Sequence, residues 1–273
     1  MVDTHNDNLT SVQKAFSKQA ANYDQGDSAN PILQDWRKRV YRHVNRFLKP
    51  GSRILELNAG TGIDALHFVN DGHTVLATDF SPGMIDEIKK KIPLASSPDR
   101  FDVKQCSFEA LPDSIDGKFD YVFSNFGGLN CSTDLSKIVS GMQRVLVDGA
   151  FVTWVIMPRI CPWEIGGLLR GGKGSLRRLK RGGAAAHLEG EQFQTYYYSL
   201  VSIKETMGPN FHLVRAEGLG ALSPPPSSLT FVRNHPRAYA LLNRIDKLFT
   251  GSFPFNRWAD HIIVTFRYRN IGS

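Results

Sequence analysis

The amino-acid sequence predicts an α/β fold built around a mainly parallel sheet, and three observations support this. From about residue 50, short apolar runs alternate with amphipathic stretches, the pattern of successive strand–helix–strand units. The runs FDYVFSN and AFVTWVIM are nearly continuous in apolar character, as expected for strands that are buried on both faces. A turn of small residues, NAGTG, joins the first apolar run to the following helical stretch.

Composition places the chain among ordinary globular proteins. Of its 273 residues 41% are hydrophobic and 22% are charged, and the formal net charge of +7 permits an acidic partner without requiring one. The sequence shows no signal peptide, and its longest apolar run is far shorter than a membrane span. Three cysteines without a CxxC pair predict reduced thiols in a cytoplasmic protein, with no disulfide and no metal site. They are Cys106, Cys131 and Cys161.

Helices are predicted before the sheet begins, over residues 10–49. Val40, Val44 and Phe47 fall on one helical face and are expected to pack on the core. The basic residues of this stretch are interpreted as a solvated face that mostly points away from the core. They are Arg37, Lys38, Arg39, Arg42 and Arg46.

The first half of the sheet follows as strand, helix, strand and helix. SRILELN and HTVLATDF are predicted strands, and DALHFVND is the helix between them. SPGMIDEIKKK has the composition of a complete helix: Ser81 is placed to cap it, Pro82 occupies its first turn, and its lysines come last. The sequence therefore predicts two consecutive strand–helix units.

The second half contains four further strands and two helices. FDVKQC, FDYVFSN and AFVTWVIM are predicted as the third, fourth and fifth strands. Between the last two, an apolar helical face is predicted to continue through Leu146 and to stop at Gly149. A helix near residues 236–249 and a closing strand DHIIVTFRYR complete the pattern.

The small-residue turn is the first functional signal. A strand that ends in a tight glycine turn and opens a helix brings bare backbone close to a ligand. A Cβ at Gly60 or Gly62 would block that approach or forbid the required dihedral angles. Asp79 ends the next strand, where its carboxylate is positioned to accept both ribose hydroxyls of a nucleoside. The combination predicts a nucleoside site.

Several nucleotide classes are disfavoured by the same residues. The turn does not match GxGxxG, and no GK[ST] follows it, so dinucleotide and P-loop sites are not indicated. Glu56, near the end of the first predicted strand, would repel a diphosphate. It would suit a cation instead, such as the ammonium group of a methionine moiety.

Taken together, these stretches resemble class I S-adenosylmethionine-dependent methyltransferases. The motifs are ILELNAGTG, the acid of ATDFSPGM, FDYVFSNFG and VDGAFVTWV. Upstream, AFSKQAANYD is similar to the entry motif of the branch that methylates small molecules, including quinone-biosynthesis and carrier-protein-acid methyltransferases. Each motif alone is weak, but five in this order and spacing are specific. The resemblance covers residues 12–157 and extends to the final strand HIIVTFRYR.

The resemblance implies a Rossmann-like sheet of seven strands, the last of them antiparallel, that binds S-adenosylmethionine. We accordingly predict an N-terminal helical cap over residues 1–49 and a cofactor-binding core over 50–157. An inserted lid or substrate segment after the fifth strand is predicted over 158–198. Residues 199–273 are predicted to complete the core with the final antiparallel hairpin.

The family's cofactor contacts can be placed on this chain motif by motif. The methionine end would lie against the turn after the first strand and the ribose against Asp79. Phe80 and Met84 would flank the adenine, and Tyr23 would close over the cofactor from the N-terminal helices. The predicted cofactor residues are Tyr23, Glu56, Asn58, Gly60, Gly62, Asp79, Phe80, Met84, Ser107, Phe108 and Asn125.

Two departures from the family pattern affect these expectations. The first glycine of the family loop is Asn58 here, which predicts a looser backbone approach or a side-chain hydrogen bond in its place. The acid common before EALP is Ser107 here, so adenine recognition at that point would rest on backbone groups near Phe108.

Candidate general bases are expected beyond the ends of the fourth and fifth strands. A hydroxyl or amine acceptor must lose a proton during methyl transfer, whereas a carboxylate needs no base. Glu164 follows the fifth strand and His187 lies in the segment predicted to cover the site, so both are named as catalytic candidates. For each, an ordinary surface position remains the alternative.

The glycine-rich basic segment RICPWEIGGLLRGGKGSLRRLKRGG allows three interpretations. It is a mobile lid, a contact to an anionic or carrier-bound acceptor or a membrane surface, or a solvated loop.

The function predicted is methyl transfer to a small molecule at oxygen, carbon or nitrogen. An RNA methyltransferase is the first alternative, although the basic runs lack the aromatic interleaving of single-strand binders. A non-catalytic cofactor-binding protein is the second.

Overall fold

The computed structural model describes residues 4–167, 176–180 and 182–271. Its strands are β1 (Arg53–Leu57), β2 (Thr74–Asp79), β3 (Phe101–Gln105), β4 (Phe119–Ser124), β5 (Leu146–Ile156), β6 (Ala184–Leu188), β7 (Glu191–Thr195), β8 (Phe211–Leu219) and β9 (His261–Tyr268). Its α-helices are α1 (Thr4–Ser28), α2 (Pro31–Val44), α3 (Ile63–Asn70), α4 (Pro82–Lys91), α5 (Leu111–Ser114), α6 (Leu135–Val145), α7 (Pro162–Gly166), α8 (Leu200–Met207), α9 (Leu229–Asn234) and α10 (Pro236–Phe249).

Seven strands form one sheet in the order β3-β2-β1-β4-β5-β9-β8. The first five run parallel, and β9 is antiparallel to both β5 and β8. The seven-stranded sheet with an antiparallel last strand is therefore confirmed. Because β9 runs against its neighbours, its first residue lies at the same edge of the sheet as the carboxyl ends of the parallel strands. This edge carries the candidate site.

Helices cover both faces of the sheet. Adjacent residues of β1 point to opposite faces, so Ile54 packs with Trp36 of α2 and Phe68 of α3, while Leu55 packs in a second cluster with Ile138 of α6. Strands β4 and β5 are buried on both faces, as their apolar character predicts. Among the described residues, no helix is long and apolar enough to cross a membrane.

The N-terminal region forms two helices separated by a cap. The first ends at Ser28, and Asn30 caps the second. Oδ1 of Asn30 accepts hydrogen bonds from the N–H groups of Ile32 and Leu33, and Pro31 occupies the first turn. The interpretation of the following arginines as a solvated face is wrong for two of them. Arg37 and Arg39 are both buried, because each reaches a carboxylate inside the protein.

One predicted boundary is also wrong. Helix α6 ends at Val145, and Leu146 begins β5, so Gly149 lies within the strand region and does not stop the helix. Leu146 pairs with Phe119 of β4. The apolar residues of the helix and of the strand follow one another without a break, which is why helical periodicity alone placed Leu146 on the helix.

Candidate functional site

The turn after β1 follows a backbone path that favours glycine. Gly60 has φ +58° and Gly62 has φ +81°, and Asn58 has φ +45°, a region that asparagine tolerates better than most residues. A Cβ on Gly62 would lie 3.0 Å from Cγ1 of Ile88, so space as well as dihedral angle restricts this position. The turn thus brings bare backbone to the carboxyl edge of the sheet and opens α3.

Asp79 is fixed beside this turn by two backbone donors. Its Oδ2 accepts from the N–H of Gly60 at 2.9 Å, and its Oδ1 accepts from the N–H of Ser81 at 2.8 Å. Burial raises the pKa of Asp79 to about 6, against the opposing effect of these hydrogen bonds. Ser81 does occupy the N-cap position of α4, but its side chain makes no capping hydrogen bond.

A cavity of about 260 Å³ opens at this edge. It lies between the turn after β1, the ends of β2 and β4, and a roof made by α1 and the β6–β7 hairpin. Most residues predicted to bind the cofactor line it, in agreement with their proposed role, which stays a prediction. Those that line it are Tyr23, Asn58, Gly60, Asp79, Phe80, Met84, Phe108 and Asn125.

Three predicted cofactor residues are not part of the lining. Gly62 lies at the N-cap of α3, at the end of the turn. The side chain of Ser107 accepts a hydrogen bond from the N–H of Glu109 and caps a short 3-10 helix. Glu56 is buried under the turn, and within the described chain its Oε2 has no hydrogen-bond partner. Burial first, and the nearby Asp64 second, raise the pKa of Glu56 well above its usual value. Glu56 is therefore an uncompensated acid just behind the cavity.

A buried polar network that the sequence did not reveal supports the same edge. Arg37 from α2 pairs with Asp27 at 2.6 Å and with Asp64 of α3. Asp64 also accepts from Tyr41 and from Asn125 Nδ2, at 2.6 and 2.8 Å. Burial alone would raise the pKa of Asp64, but Arg37 and the two hydrogen bonds hold it below its usual value. Asn125 therefore links the cavity wall to this network.

The roof is held by side-chain contacts between α1 and the hairpin. Asn8 donates to the carbonyl of Gln194 at 3.3 Å and accepts from its N–H at 2.6 Å, so it pairs with β7 as a strand would. Phe16 and Phe193 pack with ring centroids 6.1 Å apart and both line the cavity. The hairpin belongs to the segment predicted as a lid, and it contributes an apolar wall.

The two residues predicted as general bases do not face the cavity. His187 lies on β6, where alternation points Ala186 inward and leaves His187 exposed. Glu164 on α7 accepts from Arg177 and Arg178, at 2.8 and 2.9 Å. Its carboxylate is used within the protein and lies outside the cavity lining.

The basic segment is likewise engaged internally where it is described. Arg178 is 3% exposed and pairs with Asp260 at 2.6 Å as well as with Glu164. Residues 168–175 and Arg181, which carry the rest of this segment, lie outside the described residues. Arg177 and Arg178 therefore help to hold α7 in place through their ion pairs with Glu164 and Asp260.

Another histidine, His261, lies next to the cavity, although it is not among the residues that line it. Nδ1 of His261, the first residue of β9, lies 2.8 Å from Oδ2 of Asp260. A Cβ built on Gly127 would lie 3.3 Å from Nε2 of His261 and 3.1 Å from Cε of Met157. Gly127 and Met157 line the cavity, so Nε2 of His261 lies behind a lining residue and close to the cavity wall. Burial would raise the pKa of Asp260, but Arg178 and His261 hold it below its usual value.

Comparison with known proteins agrees with this geometry. A family model described as a methyltransferase domain matches residues 54–149. Demethylmenaquinone methyltransferase of Beutenbergia cavernae is 32% identical over 139 residues, which cover 50% of this chain and 52% of that protein. Ubiquinone/menaquinone biosynthesis C-methyltransferase UbiE of Xanthomonas oryzae is 33% identical over 144 residues, covering 50% and 55%. The chain thus spans about half the length of the curated relatives it matches.

Structural comparison extends over nearly the whole chain. The 1,6-didemethyltoxoflavin-N1-methyltransferase of Burkholderia thailandensis, solved with 1,6-didemethyltoxoflavin and S-adenosylhomocysteine, superposes with a TM-score of 0.58. The match covers 98% of this chain and 92% of that one at 13% identity, and at this identity it concerns the fold. The fold is that of Rossmann-like methyltransferases. Residues 54–149 are similar to a methyltransferase domain, in agreement with the resemblance of the sequence motifs to class I S-adenosylmethionine-dependent methyltransferases.

Proposed function

We propose that this protein transfers the methyl group of S-adenosylmethionine to a small molecule that carries an aromatic hydroxyl group. The observation that carries the proposal is the fixed position of Asp79 beside the bare backbone of Gly60, in the lining of the cavity. A carboxylate held there by two N–H groups can accept from both hydroxyls of a ribose while the turn leaves room for the nucleoside.

The rest of the cavity fits the cofactor in the orientation that the family implies. Phe80, Met84 and Phe108 offer an apolar slot for an adenine ring on one side of Asp79. On the other side, the unpartnered Oε2 of Glu56 lies behind Asn58 and Gly60, where the positive methionine end would relieve its isolation. Tyr23 lies on the α1 side of the same space.

The reaction requires little of the protein beyond alignment and a proton acceptor. When bound, the cofactor would supply a methyl group that is activated by its bond to a sulfonium sulfur. As the acceptor formed a bond to the methyl carbon, the carbon–sulfur bond would break and its electron pair would stay on sulfur. Met157, Phe126 and Phe193 shape an apolar space for the acceptor beyond the cofactor site. His261 takes the hydroxyl proton on Nε2, and Asp260 orients the ring through Nδ1.

An aromatic hydroxyl acceptor agrees with the chemistry of this wall and with the quinone methyltransferases among the relatives. Loss of the hydroxyl proton makes both the oxygen and the ring carbons beside it nucleophilic. An anionic or carrier-bound acceptor is not part of the proposal, since Arg177 and Arg178 are occupied by Glu164 and Asp260. The buried free thiols of Cys106, Cys131 and Cys161 support a cytoplasmic location.

The test uses methyl-labelled S-adenosylmethionine and a panel of hydroquinones, phenols and amines, with a short-chain demethylmenaquinol as the first probe. We expect label to enter a hydroxyl-bearing aromatic compound, and calorimetry to show saturable cofactor binding. If the protein bound the cofactor but transferred label only to amines, the proposed aromatic hydroxyl acceptor would be refuted, whereas the proposed cofactor site would stand. Failure to bind the cofactor at all would overturn the whole proposal.

A further inference from the structure

Helix α10 leaves part of its apolar surface exposed, although Tyr239 packs against the core. The two residues of α10 that are buried are polar, Asn243 and Asp246. Leu241 and Leu248, by contrast, are 58% and 71% exposed. A helix on the surface of a globular protein ordinarily does the opposite and buries its apolar stripe.

This orientation is fixed by specific polar contacts. The carboxylate of Asp246 accepts from the N–H groups of Ala221 and Leu222, at 2.9 and 3.0 Å, and from Arg39 at 2.9 Å. Breaking these hydrogen bonds would leave a buried carboxylate without partners. A rotation of α10 that buried its leucines would therefore cost much of the folding free energy. The outward apolar side is therefore a set feature of the fold.

The exposed apolar residues continue beyond the helix. Leu241 and Leu248 lie on one stripe along α10 together with the partly buried Ile245, at i, i+7 and i+4. The loop after the helix adds Phe253, which is 66% exposed and packs edge to face with Trp258 at 5.8 Å. We call these residues, with the half-exposed Phe249, the α10 face.

Positive charge borders the α10 face on the helix and in the loop. Between residues 229 and 258 the sequence has five basic residues and a single acid, the buried Asp246. Arg237 and Arg244 form no ion pair within the described part of the chain, and Arg257 lies over the ring of Phe253 at 5.6 Å. Every charged side chain that this stretch exposes is therefore cationic.

We propose that the α10 face binds the surface of an anionic lipid membrane. Leucine and phenylalanine side chains flanked by arginines, with a tryptophan at one end, match the boundary between headgroups and acyl chains. Arginines next to such a stripe are attracted by anionic headgroups, each by roughly a factor of five in affinity. A second copy of this chain fits less well, because its α10 face would bring arginines and no carboxylate against these arginines.

The inference is independent of the methyl-transfer proposal, since it concerns residues outside the cavity lining. Its test measures co-sedimentation of the full chain with vesicles of phosphatidylcholine alone and of equal parts phosphatidylcholine and phosphatidylglycerol. We expect binding to the second and little binding to the first. Arg237→Gln/Arg244→Gln and Leu241→Ser/Leu248→Ser should each weaken binding to anionic vesicles at least about tenfold.

Two controls keep the test decisive. Leu94→Ser removes an equally exposed leucine far from α10 in sequence and should leave vesicle binding unchanged. Circular dichroism should show that the variants keep the wild-type fold. No binding of the wild type to anionic vesicles, or an equal loss in Leu94→Ser, would overturn the proposal. A concentration-dependent dimer that disappears in Leu241→Ser/Leu248→Ser, without vesicle binding, would instead assign the face to a second copy.

Discussion

The side chain of Asn58 fills the space that a side chain on Gly128 would need. A Cβ built on Gly128 would lie 2.8 Å from Cβ of Asn58 and would overlap its amide as well. The Asn58 amide is held in this place, since its Oδ1 accepts from Ser124 at 2.7 Å and its Nδ2 donates to the carbonyl of Asn125 at 3.2 Å. The residue that replaces the family's first glycine thus joins the ends of β1 and β4. A side-chain hydrogen bond from Asn58 to the ligand stays a prediction.

This contact predicts that a substitution at Asn58 restores stability lost through a substitution at Gly128. Gly128→Ala should destabilise the protein by about 1–3 kcal/mol, because the new methyl group overpacks against Asn58. Adding Asn58→Gly should restore most of the lost stability, since glycine removes the obstacle and accepts the positive φ. Chemical denaturation of the single and double variants measures the coupling. Strict additivity of the two effects would show that the contact is not the cause.

The buried arginine network predicts a large loss of stability. Arg37→Ala leaves Asp27 and Asp64 as buried carboxylates without their cation, which should cost about 3–5 kcal/mol of unfolding free energy. Lys38→Ala, its exposed neighbour on the same helix, should change stability by less than about 0.5 kcal/mol. Urea denaturation compares the two, and similar small effects would refute the structural role of Arg37.

The raised pKa of Asp79 predicts a stability penalty that depends on pH. The native carboxyl holds its proton up to about pH 6, whereas in the unfolded chain it releases it near its ordinary pKa of about 4. The native state therefore binds more protons between these values, and wild-type stability falls as pH rises through this window. Relative to Asp79→Asn, which lacks the titration, the loss should total about 3 kcal/mol.

Denaturation of both proteins from pH 4 to pH 7 checks the sign as well as the size. A wild type that gains stability over Asp79→Asn as pH rises would mean that the Asp79 pKa is lowered in the folded protein.

His261 predicts a catalytic defect without a binding defect. His261→Asn should lower kcat for the hydroxyl-bearing acceptor by at least about a hundredfold, the range of a general base, while cofactor affinity stays at the wild-type value. His212→Asn, at an exposed position of the neighbouring strand β8, is the matched control and should keep full activity. Unchanged kcat in His261→Asn would remove the proposed base.

The sequence was most informative where structure is local. The glycine turn, Asp79 and the helix over Pro236–Phe249 depend on spacing, dihedral angle and periodicity within a few residues, and the structure has them as predicted. The end of α6 was less predictable, because apolar residues on both sides of Val145 satisfy a helix and a strand equally well.

Residues that act through distant contacts were missed for a physical reason. Arg37 looks like one member of an exposed basic stretch until α2 packs on α3 and brings Asp64 to it. His261 sits beside Asp260 at the start of a predicted strand, and only the antiparallel placement of β9 next to β5 brings it to the cavity edge. His187 shows the converse, because alternation along β6 decides which residues face inward.

Calorimetric titration of S-adenosylmethionine into the wild type, Asp79→Ala and Asp86→Ala measures whether Asp79 holds the cofactor. Asp86 is an exposed acid of α4 and serves as the control. We expect saturable binding that Asp79→Ala weakens at least about tenfold, the worth of a charge-assisted hydrogen bond, and that Asp86→Ala leaves unchanged. Equal affinity of a folded Asp79→Ala and the wild type would contradict the account.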